Sequence, residues 1–218
     1  LTRIHPGNVK HLEKAWEYHT GDYPGARPEV GATSFQATPI LDDGTLYFCS
    51  GLSRAFAVDA ETGAERWVYD AKPVLADAWN RTCRGLALWK NKAANPADNG
   101  DCNRTLFMGT VDGDMVAIDA DTGKPCTRFG QALGLGGRVS LHRGLGDVRP
   151  GEMYMTSPPV VVGDLVVQGS LVGDHRRIDS PGGVIRAYDV RSGELRWAFD
   201  PVPPGSPSPG ELGASESQ

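Results

Sequence analysis

The chain of 218 residues has no long hydrophobic run and no basic cluster larger than the pair Arg176 and Arg177. Its longest apolar stretch, residues 160–167, is interrupted by Gly163 and Asp164, and it falls well short of the roughly 18 residues that a membrane-spanning helix needs. The formal net charge is −5, so the chain as a whole gains nothing from neutralising nucleic-acid phosphates. The sequence therefore argues against nucleic-acid binding and against a membrane span within these residues.

The cysteine and histidine patterns of common metal sites are also missing. The four cysteines, Cys49, Cys83, Cys102 and Cys126, include no Cys-x-x-Cys pair, which disfavours zinc binding and thioredoxin-like chemistry. Four of the five histidines show no metal-ligand spacing with one another. Cys102 precedes one predicted strand and Cys126 follows its neighbour, so we expect a disulfide between them if the protein works in an oxidising compartment.

What the chain does contain is a repeat that occurs three times. Each copy has Ala-x-Asp at the end of a predicted strand and then a Thr-Gly or Ser-Gly turn, with Asp59, Asp119 and Asp189 at intervals of about 60 and 70 residues. Asp and Thr or Ser can bond the turn backbone while Gly accepts a positive φ, so each copy predicts a tight hairpin. Trp67 and Trp197 close two of the copies. An indole of this size fills the gap between neighbouring sheets, and its N–H then needs a backbone acceptor.

This period and these Trp residues predict an all-β fold, a β-propeller of four-stranded blades. Ordinary hairpins of an unrelated β-sandwich are the alternative, but they do not explain a recurrent Trp. The predicted strands are residues 36–41, 45–50, 54–59 and 65–70 in the first blade, 83–89, 104–109, 114–119 and 125–129 in the second, and 154–162, 165–170, 184–189 and 195–200 in the third.

The predicted organisation is a partial propeller over residues 1–200. Its blades span residues 34–70, 82–130 and 154–200, and residues 201–218 form a Pro-, Gly- and Ser-rich loop. Residues 8–20, with Trp16, look like the outer strand of a closing blade that lacks its partners in this chain. We therefore expect about three blades of an eight-bladed propeller, that is, a piece of a longer protein.

Several segments in combination carry a family resemblance over residues 9–204. They are Phe35-Gln-Ala-Thr-Pro-Ile40, Thr45-Leu-Tyr-Phe-Cys49, Thr82-Cys-Arg-Gly85, Thr156-Ser-Pro-Pro159, Gly169-Ser170 and Gly183-Val-Ile-Arg-Ala-Tyr-Asp189. With these segments the chain resembles the pyrroloquinoline quinone (PQQ) dependent dehydrogenases, in particular the membrane-bound glucose, sugar and quinate branch. It lacks the vicinal cysteine pair of the methanol-oxidising branch.

The resemblance implies that Gln36, Arg84, Thr156 and Ser170 contact PQQ. A guanidinium group can form two parallel hydrogen bonds to a carboxylate or bond a quinone oxygen. The matching Arg of the family lies at the reactive carbonyls of PQQ, so the resemblance implies that Arg84 stabilises negative charge on oxygen electrostatically. Hydroxyl groups can bond the carboxylates of a flat polyacid without adding bulk. Each residue also has a purely structural alternative. Gln36 would cap a strand end with its amide, Arg84 would form a structural salt bridge, and Thr156 and Ser170 would be plain β-sheet residues.

Two further residues are expected in the site by resemblance. Asp174 falls on a recurrent Asp of the family's calcium loop, although His175 stands where relatives usually have Asn, and imidazole is a poor calcium ligand. Asn80 occupies the substrate-side position where glucose-branch relatives often have His. Because Asn cannot titrate near neutrality, a proton-relay role does not carry over to it.

The implied function is oxidation of a sugar, polyol or cyclic hydroxy acid such as glucose or quinate, with electrons passed from PQQ to membrane ubiquinone. The implied location is the periplasm, tethered to the inner membrane through a part not present here. We expect the catalytic base beyond residue 218 and therefore expect this piece to be inactive alone. A cofactor-free periplasmic scaffold propeller and a PQQ-sensing domain attached to a kinase are the alternatives. The combination of Arg84, Thr156 and Asp174 favours the enzyme over the scaffold.

Overall fold

The computed structural model describes residues 3–23, 33–75, 81–92, 102–173 and 180–201. These ranges form three four-stranded antiparallel sheets. The first sheet contains β2 (Ile40–Asp42), β3 (Thr45–Cys49), β4 (Arg54–Asp59) and β5 (Glu65–Asp70). The second sheet contains β7 (Ala87–Lys90), β8 (Arg104–Gly109), β9 (Asp114–Asp119) and β10 (Arg138–Ser140). The third sheet contains β12 (Val160–Val162), β13 (Leu165–Gln168), β15 (Ile185–Asp189) and β16 (Leu195–Phe199).

Two pairs of short strands lie outside the main sheets. β1 (Ser34–Phe35) pairs in parallel with β6 (Thr82–Cys83), and β11 (Met153–Tyr154) pairs antiparallel with β14 (Leu171–Val172). The helices in the described ranges are two short 3₁₀ turns, Val9–His11 and Gln131–Leu133. No helix there is long and apolar enough to cross a membrane. The predicted all-β fold is confirmed.

The repeat forms the hairpin turn that its residues predict. In the first copy, Asp59 Oδ1 accepts hydrogen bonds of 2.9 Å from both the backbone N–H and the hydroxyl of Thr62, and Gly63 has φ +73°. The copies at Asp119 and Asp189 repeat both bonds. The pKa of Asp59 lies well below its usual range. The hydrogen bond from Arg66 contributes most to this shift and the bonds from Thr62 come next, because these donors favour the charged carboxylate.

Trp16 and Trp67 dock on the hairpin of the following sheet as expected, whereas Trp197 is 43% exposed. Trp16 donates its indole N–H to the carbonyl of Ala60 at 3.2 Å, and Trp67 donates to the carbonyl of Ala120 at 3.0 Å. Each ring lies directly over the glycine of the next hairpin, so that a Cβ on Gly63 would come within 2.6 Å of Trp16 and a Cβ on Gly123 within 2.7 Å of Trp67. Trp16 itself belongs to an extended segment that has no strand partner among the described residues.

The prediction of the fourth strand of the second sheet was wrong. Residues 125–129 make only one isolated bridge, Ile118 with Pro125, because proline has no N–H to donate to a ladder. After Cys126, residues 127–136 leave the sheet, and the outer position is taken by β10, which pairs with β9. Ala117 in β9 bonds to the chain on both sides of residues 127–136. Its carbonyl accepts from Cys126 N–H, and its N–H donates to Gly137 O, each at 2.9 Å.

Two disulfides join parts of this framework. Cys102–Cys126, which the sequence predicts, is present with a Cα–Cα distance of 5.8 Å. Cys49–Cys83, at 5.9 Å, links the end of β3 to β6 and was not predicted. Buried side chains fill the spaces between consecutive sheets, with Tyr47 and Leu106 in the first interface and Phe107 in the second.

Candidate functional site

The candidate residues lie in the segments that precede the first strand of each sheet. These first strands, β2, β7 and β12, form what we call the inner edge, where β7 lies against β12. The sequence prediction began these strands at residues 36, 83 and 154, but they begin at Ile40, Ala87 and Val160. The preceding segments bond to one another across the sheets instead, since Thr38 N–H donates to Arg84 O at 2.9 Å and Arg84 N–H donates to Thr156 O at 3.0 Å.

These backbone bonds bring together three of the predicted cofactor residues. Arg84 Nε donates to Gln36 Oε1 at 3.1 Å, and Arg84 Nη1 donates to Thr156 Oγ1 at 3.1 Å. Gln36 is held in turn, because its amide donates to Ser34 Oγ at 3.0 Å. The guanidinium plane is therefore fixed from two sides by neutral partners.

Arg84 carries a positive charge that no carboxylate balances within the described part of the chain. Arg84 and Gln36 are exposed, whereas the side chain of Thr156 is buried. A structural salt bridge for Arg84, one of the alternatives considered from the sequence, is not formed with any described residue. An oriented guanidinium whose remaining N–H groups reach solvent is suited to bind an anion.

The backbone at Arg84 is held in place by covalent and hydrogen-bonded contacts to other segments. Cys83 is joined by a disulfide to Cys49 at the end of β3, and the backbone of Arg84 is hydrogen-bonded to Thr38 on one side and Thr156 on the other. The disulfide and these backbone hydrogen bonds therefore hold the segment from which Arg84 projects, as a preorganised cation requires.

Ser170 is not joined to this group by a side-chain contact in the described residues. It lies between β13 and β14, rather than at the end of a strand over residues 165–170, and its hydroxyl donates to Val184 O at 3.4 Å. Its neighbour Leu171 pairs with Tyr154, two residues before Thr156. Ser170 thus belongs to the same region but not to the hydrogen-bonded trio.

Gln168 is a residue that the sequence reasoning missed. It is buried, with 2% of its surface exposed, and its amide donates to Ser157 O at 3.3 Å and Gly169 O at 2.8 Å. It therefore links the residue after Thr156 to the residue before Ser170. Its Oε1 has no partner within the described ranges. The only signal in the sequence is an amide at the end of an otherwise apolar strand, Leu165–Gln168.

Two predicted residues, Asn80 and Asp174, lie outside the described residues. Within the described ranges no group of three or more His, Cys, Asp or Glu side chains is arranged to hold a metal ion.

Comparisons with known proteins show the family of the chain. A family model described as PQQ: Glucose/ethanol/alcohol dehydrogenase, beta-propeller domain, matches residues 1–218. The chain is 38% identical to the quinate/shikimate dehydrogenase (quinone) of Acinetobacter baylyi over 94% of its length, and 36% identical to the quinoprotein glucose dehydrogenase of Escherichia coli over 92%. It spans 26% and 25% of the lengths of these two relatives.

Solved structures give the same result. A europium-containing methanol dehydrogenase matches with a TM-score of 0.65 and 25% identity, covering 96% of this chain and 30% of that one. A quinohemoprotein alcohol dehydrogenase from Pseudomonas putida HK5 matches with a TM-score of 0.61 and 27% identity, covering 78% of this chain and 21% of that one.

Proposed function

Because the chain belongs to the PQQ-dependent glucose/ethanol/alcohol dehydrogenase β-propeller family, we propose that it is part of a quinoprotein dehydrogenase that oxidises a sugar, polyol or cyclic hydroxy acid. Relatives named for quinate, glucose and glycerol oxidation support this substrate range. The chain spans about a quarter of their length, so the activity belongs to the larger protein.

The observation that carries the proposal is the trio of Arg84, Gln36 and Thr156 at the inner edge. PQQ is a flat polyacid with an ortho-quinone, and its carboxylates and carbonyls are acceptors for guanidinium, amide and hydroxyl donors. The trio supplies these donors, and no carboxylate among the described residues competes for Arg84. The residues therefore fit the cofactor that the family uses.

Each residue has a separate task in this proposal. Gln36 and Thr156 orient the guanidinium of Arg84, which holds a fixed positive charge close to the quinone and stabilises negative charge on oxygen. Thr156 and Ser170 bond carboxylates of the cofactor. When bound, PQQ supplies the two-electron acceptor for the alcohol. The base that removes the alcohol proton is expected beyond residue 218.

The remaining parts of the proposal concern the metal, the substrate and the location. Calcium, which prefers hard oxygen ligands, would take Asp174 as one ligand, and Asn80 would face the substrate. The electron acceptor would be membrane ubiquinone, and the location would be the periplasm, with a tether to the inner membrane elsewhere in the protein. The two disulfides support an oxidising compartment.

The proposal is tested by titrating PQQ, with and without calcium, into the full-length protein that contains this chain, with cofactor absorbance as the readout. We expect Arg84→Ala to weaken PQQ binding by about one to two orders of magnitude, because hydrogen bonds to charged groups contribute roughly 1.5–3 kcal/mol. Arg84→Lys keeps the charge but loses the fork, so its affinity should be intermediate. Arg149→Ala, at an exposed surface arginine, is the matched control.

Two results would count against it. Unchanged PQQ affinity in Arg84→Ala would remove the assigned role of the trio while leaving the family membership intact. Failure of the wild-type protein to bind PQQ would favour the scaffold alternative, in which Arg84 is a structural residue.

A further inference from the structure

The second copy of the repeat has no Trp, and the sheet interface that follows it is filled differently. Where Trp67 covers Gly123 in the preceding interface, Gly193 is approached by the backbone of Gly130 and the side chain of Val139. Gly130 N–H donates to Ser192 O at 2.8 Å, in place of an indole donor. The buried ring of Phe129 also lies close, 3.3 Å from the position of an added Cβ on Gly193, but these groups leave part of the gap unfilled.

The unfilled part of this gap is a cavity of about 680 Å³ between the second and third sheets. Its walls are formed by Ala132, Leu133, Val139, Ser140, Arg143, Gly144, Arg186, Tyr188, Ser192, Gly193, Glu194 and Leu195. The apolar side chains Leu133 and Leu195 are 38% and 49% exposed. A volume of this size suits a small organic ligand, since ligand pockets commonly enclose about 300–1,000 Å³.

Arg186 is the unusual residue of this cavity. It is only 5% exposed, and it forms no ion pair with any described residue. Its one hydrogen bond there is donated by Nη2 to the carbonyl of Arg143 at a long 3.4 Å. A buried guanidinium without a carboxylate carries a large desolvation cost, which an anion inside the cavity would offset.

The other polar groups around the cavity are consistent with an anionic ligand. Burial raises the pKa of Tyr188, although the nearby Arg186 and Arg143 guanidinium groups act in the opposite direction, so its hydroxyl remains a neutral donor at physiological pH. Glu194 also lines the cavity, but it pairs with Arg196 at 3.4 Å rather than with Arg186. The two guanidinium groups in the lining, those of Arg143 and Arg186, therefore outnumber its one carboxylate.

We propose that this cavity binds an amphipathic carboxylate, with its head on Arg186 and its apolar body against Leu133 and Leu195. The second guanidinium, that of Arg143, and the Tyr188 hydroxyl complete the head-group site. The site is separate from the Arg84 trio, and it does not depend on the proposed function.

The probe for the test is octanoate, titrated calorimetrically into the full-length protein, with octanamide as the neutral analogue. We expect saturable octanoate binding that is at least tenfold tighter than that of octanamide. Arg186→Gln should weaken octanoate binding at least tenfold, and Arg149→Gln should leave it unchanged. Ala132→Trp, which places a large ring in the cavity wall from an exposed position, should also abolish binding and does not depend on the folding of the Arg186 variant.

Three outcomes would overturn the proposal. They are the absence of saturable octanoate binding, equal binding of octanoate and octanamide, and octanoate binding that persists in a folded Arg186→Gln or Ala132→Trp protein. A structure of the full-length protein in which its own side chains fill the cavity would do the same.

Discussion

Substitution of Gly123 by alanine tests the docking of one sheet on the next. Gly123 has φ +72°, and an added Cβ would lie 2.7 Å from Cδ2 of Trp67. The left-handed backbone alone costs a residue with a Cβ roughly 1–2 kcal/mol. The Trp ring must also shift, which costs about 1–3 kcal/mol for an overpacked contact. We therefore expect a total loss of about 2–5 kcal/mol in the free energy of unfolding.

Gly163→Ala is the matched control for the energetic cost of placing an alanine in the left-handed backbone conformation. Gly163 also has a positive φ, +59°, but an added Cβ would meet nothing within 4 Å. Gly163→Ala should therefore lose only the backbone part, roughly 1–2 kcal/mol. The difference between the two variants measures the contact with Trp67.

The assay is urea unfolding of the full-length protein, with the transition midpoints and slopes compared between variants. The same Gly123 change is made in a Trp67→Ala background to complete a double-mutant cycle. Without the ring, Gly123→Ala should cost no more than Gly163→Ala. Equal losses for the two glycine variants, or a Gly123 effect that is the same with and without Trp67, would refute the docking argument.

Three other predictions follow from the contacts of the site and the hairpins. Removing the Cys49–Cys83 disulfide by changing both residues to alanine should lower stability by about 2–4 kcal/mol and weaken PQQ binding, both measured on the full-length protein against the wild type. Gln168→Met removes two hydrogen bonds at the site, so PQQ affinity should fall about tenfold or more, while an unchanged titration would leave Gln168 with a packing role only. Because the pKa of Asp59 is lower in the folded than in the unfolded state, its stabilising contribution is present above about pH 4 and is lost as the pH falls through the folded pKa. The stability difference between wild type and Asp59→Asn should therefore shrink on acidification, and a constant difference would contradict it.

The sequence predicted the hairpins well because these depend on local chemistry. Asp59, Thr62 and Gly63 meet within one turn, and each satisfies a backbone or side-chain group that the others leave open. The outer strand Arg138–Ser140 could not be found in this way. It is reached only after residues 127–136, which leave the sheet, and the hydrophobic period of the sequence does not indicate such an insertion.

The sequence did not indicate how the candidate site residues are joined, and it did not single out Gln168. Resemblance named Gln36, Arg84 and Thr156, yet their hydrogen bonds span 48 and 72 residues of sequence. The Cys49–Cys83 bond likewise crosses from one sheet to the start of the next. Such contacts depend on how consecutive sheets are spaced, which a local pattern does not encode.

The spacing between consecutive sheets is fixed both near the hairpins and at the inner edge, so a change at one end of the interface should be felt at the other. Near the hairpins, the distance between the first and second sheets is set by Trp67 on Gly123. At the inner edge, the backbone of Arg84 is bonded to segments of both neighbouring sheets, through Thr38 and Thr156. Since packed interiors transmit strain rather than absorb it, a ring displaced at Gly123 should also disturb Arg84.

Gly123→Ala should therefore weaken PQQ binding in the full-length protein by more than Gly163→Ala does, although neither glycine belongs to the Arg84 trio. The measurement is the same absorbance titration, carried out under conditions where both variants are fully folded. If Gly123→Ala lowers stability but leaves PQQ affinity at the wild-type value, the docking of Trp67 and the orientation of Arg84 are independent, and the disulfide at Cys83 is sufficient to hold the cation in place.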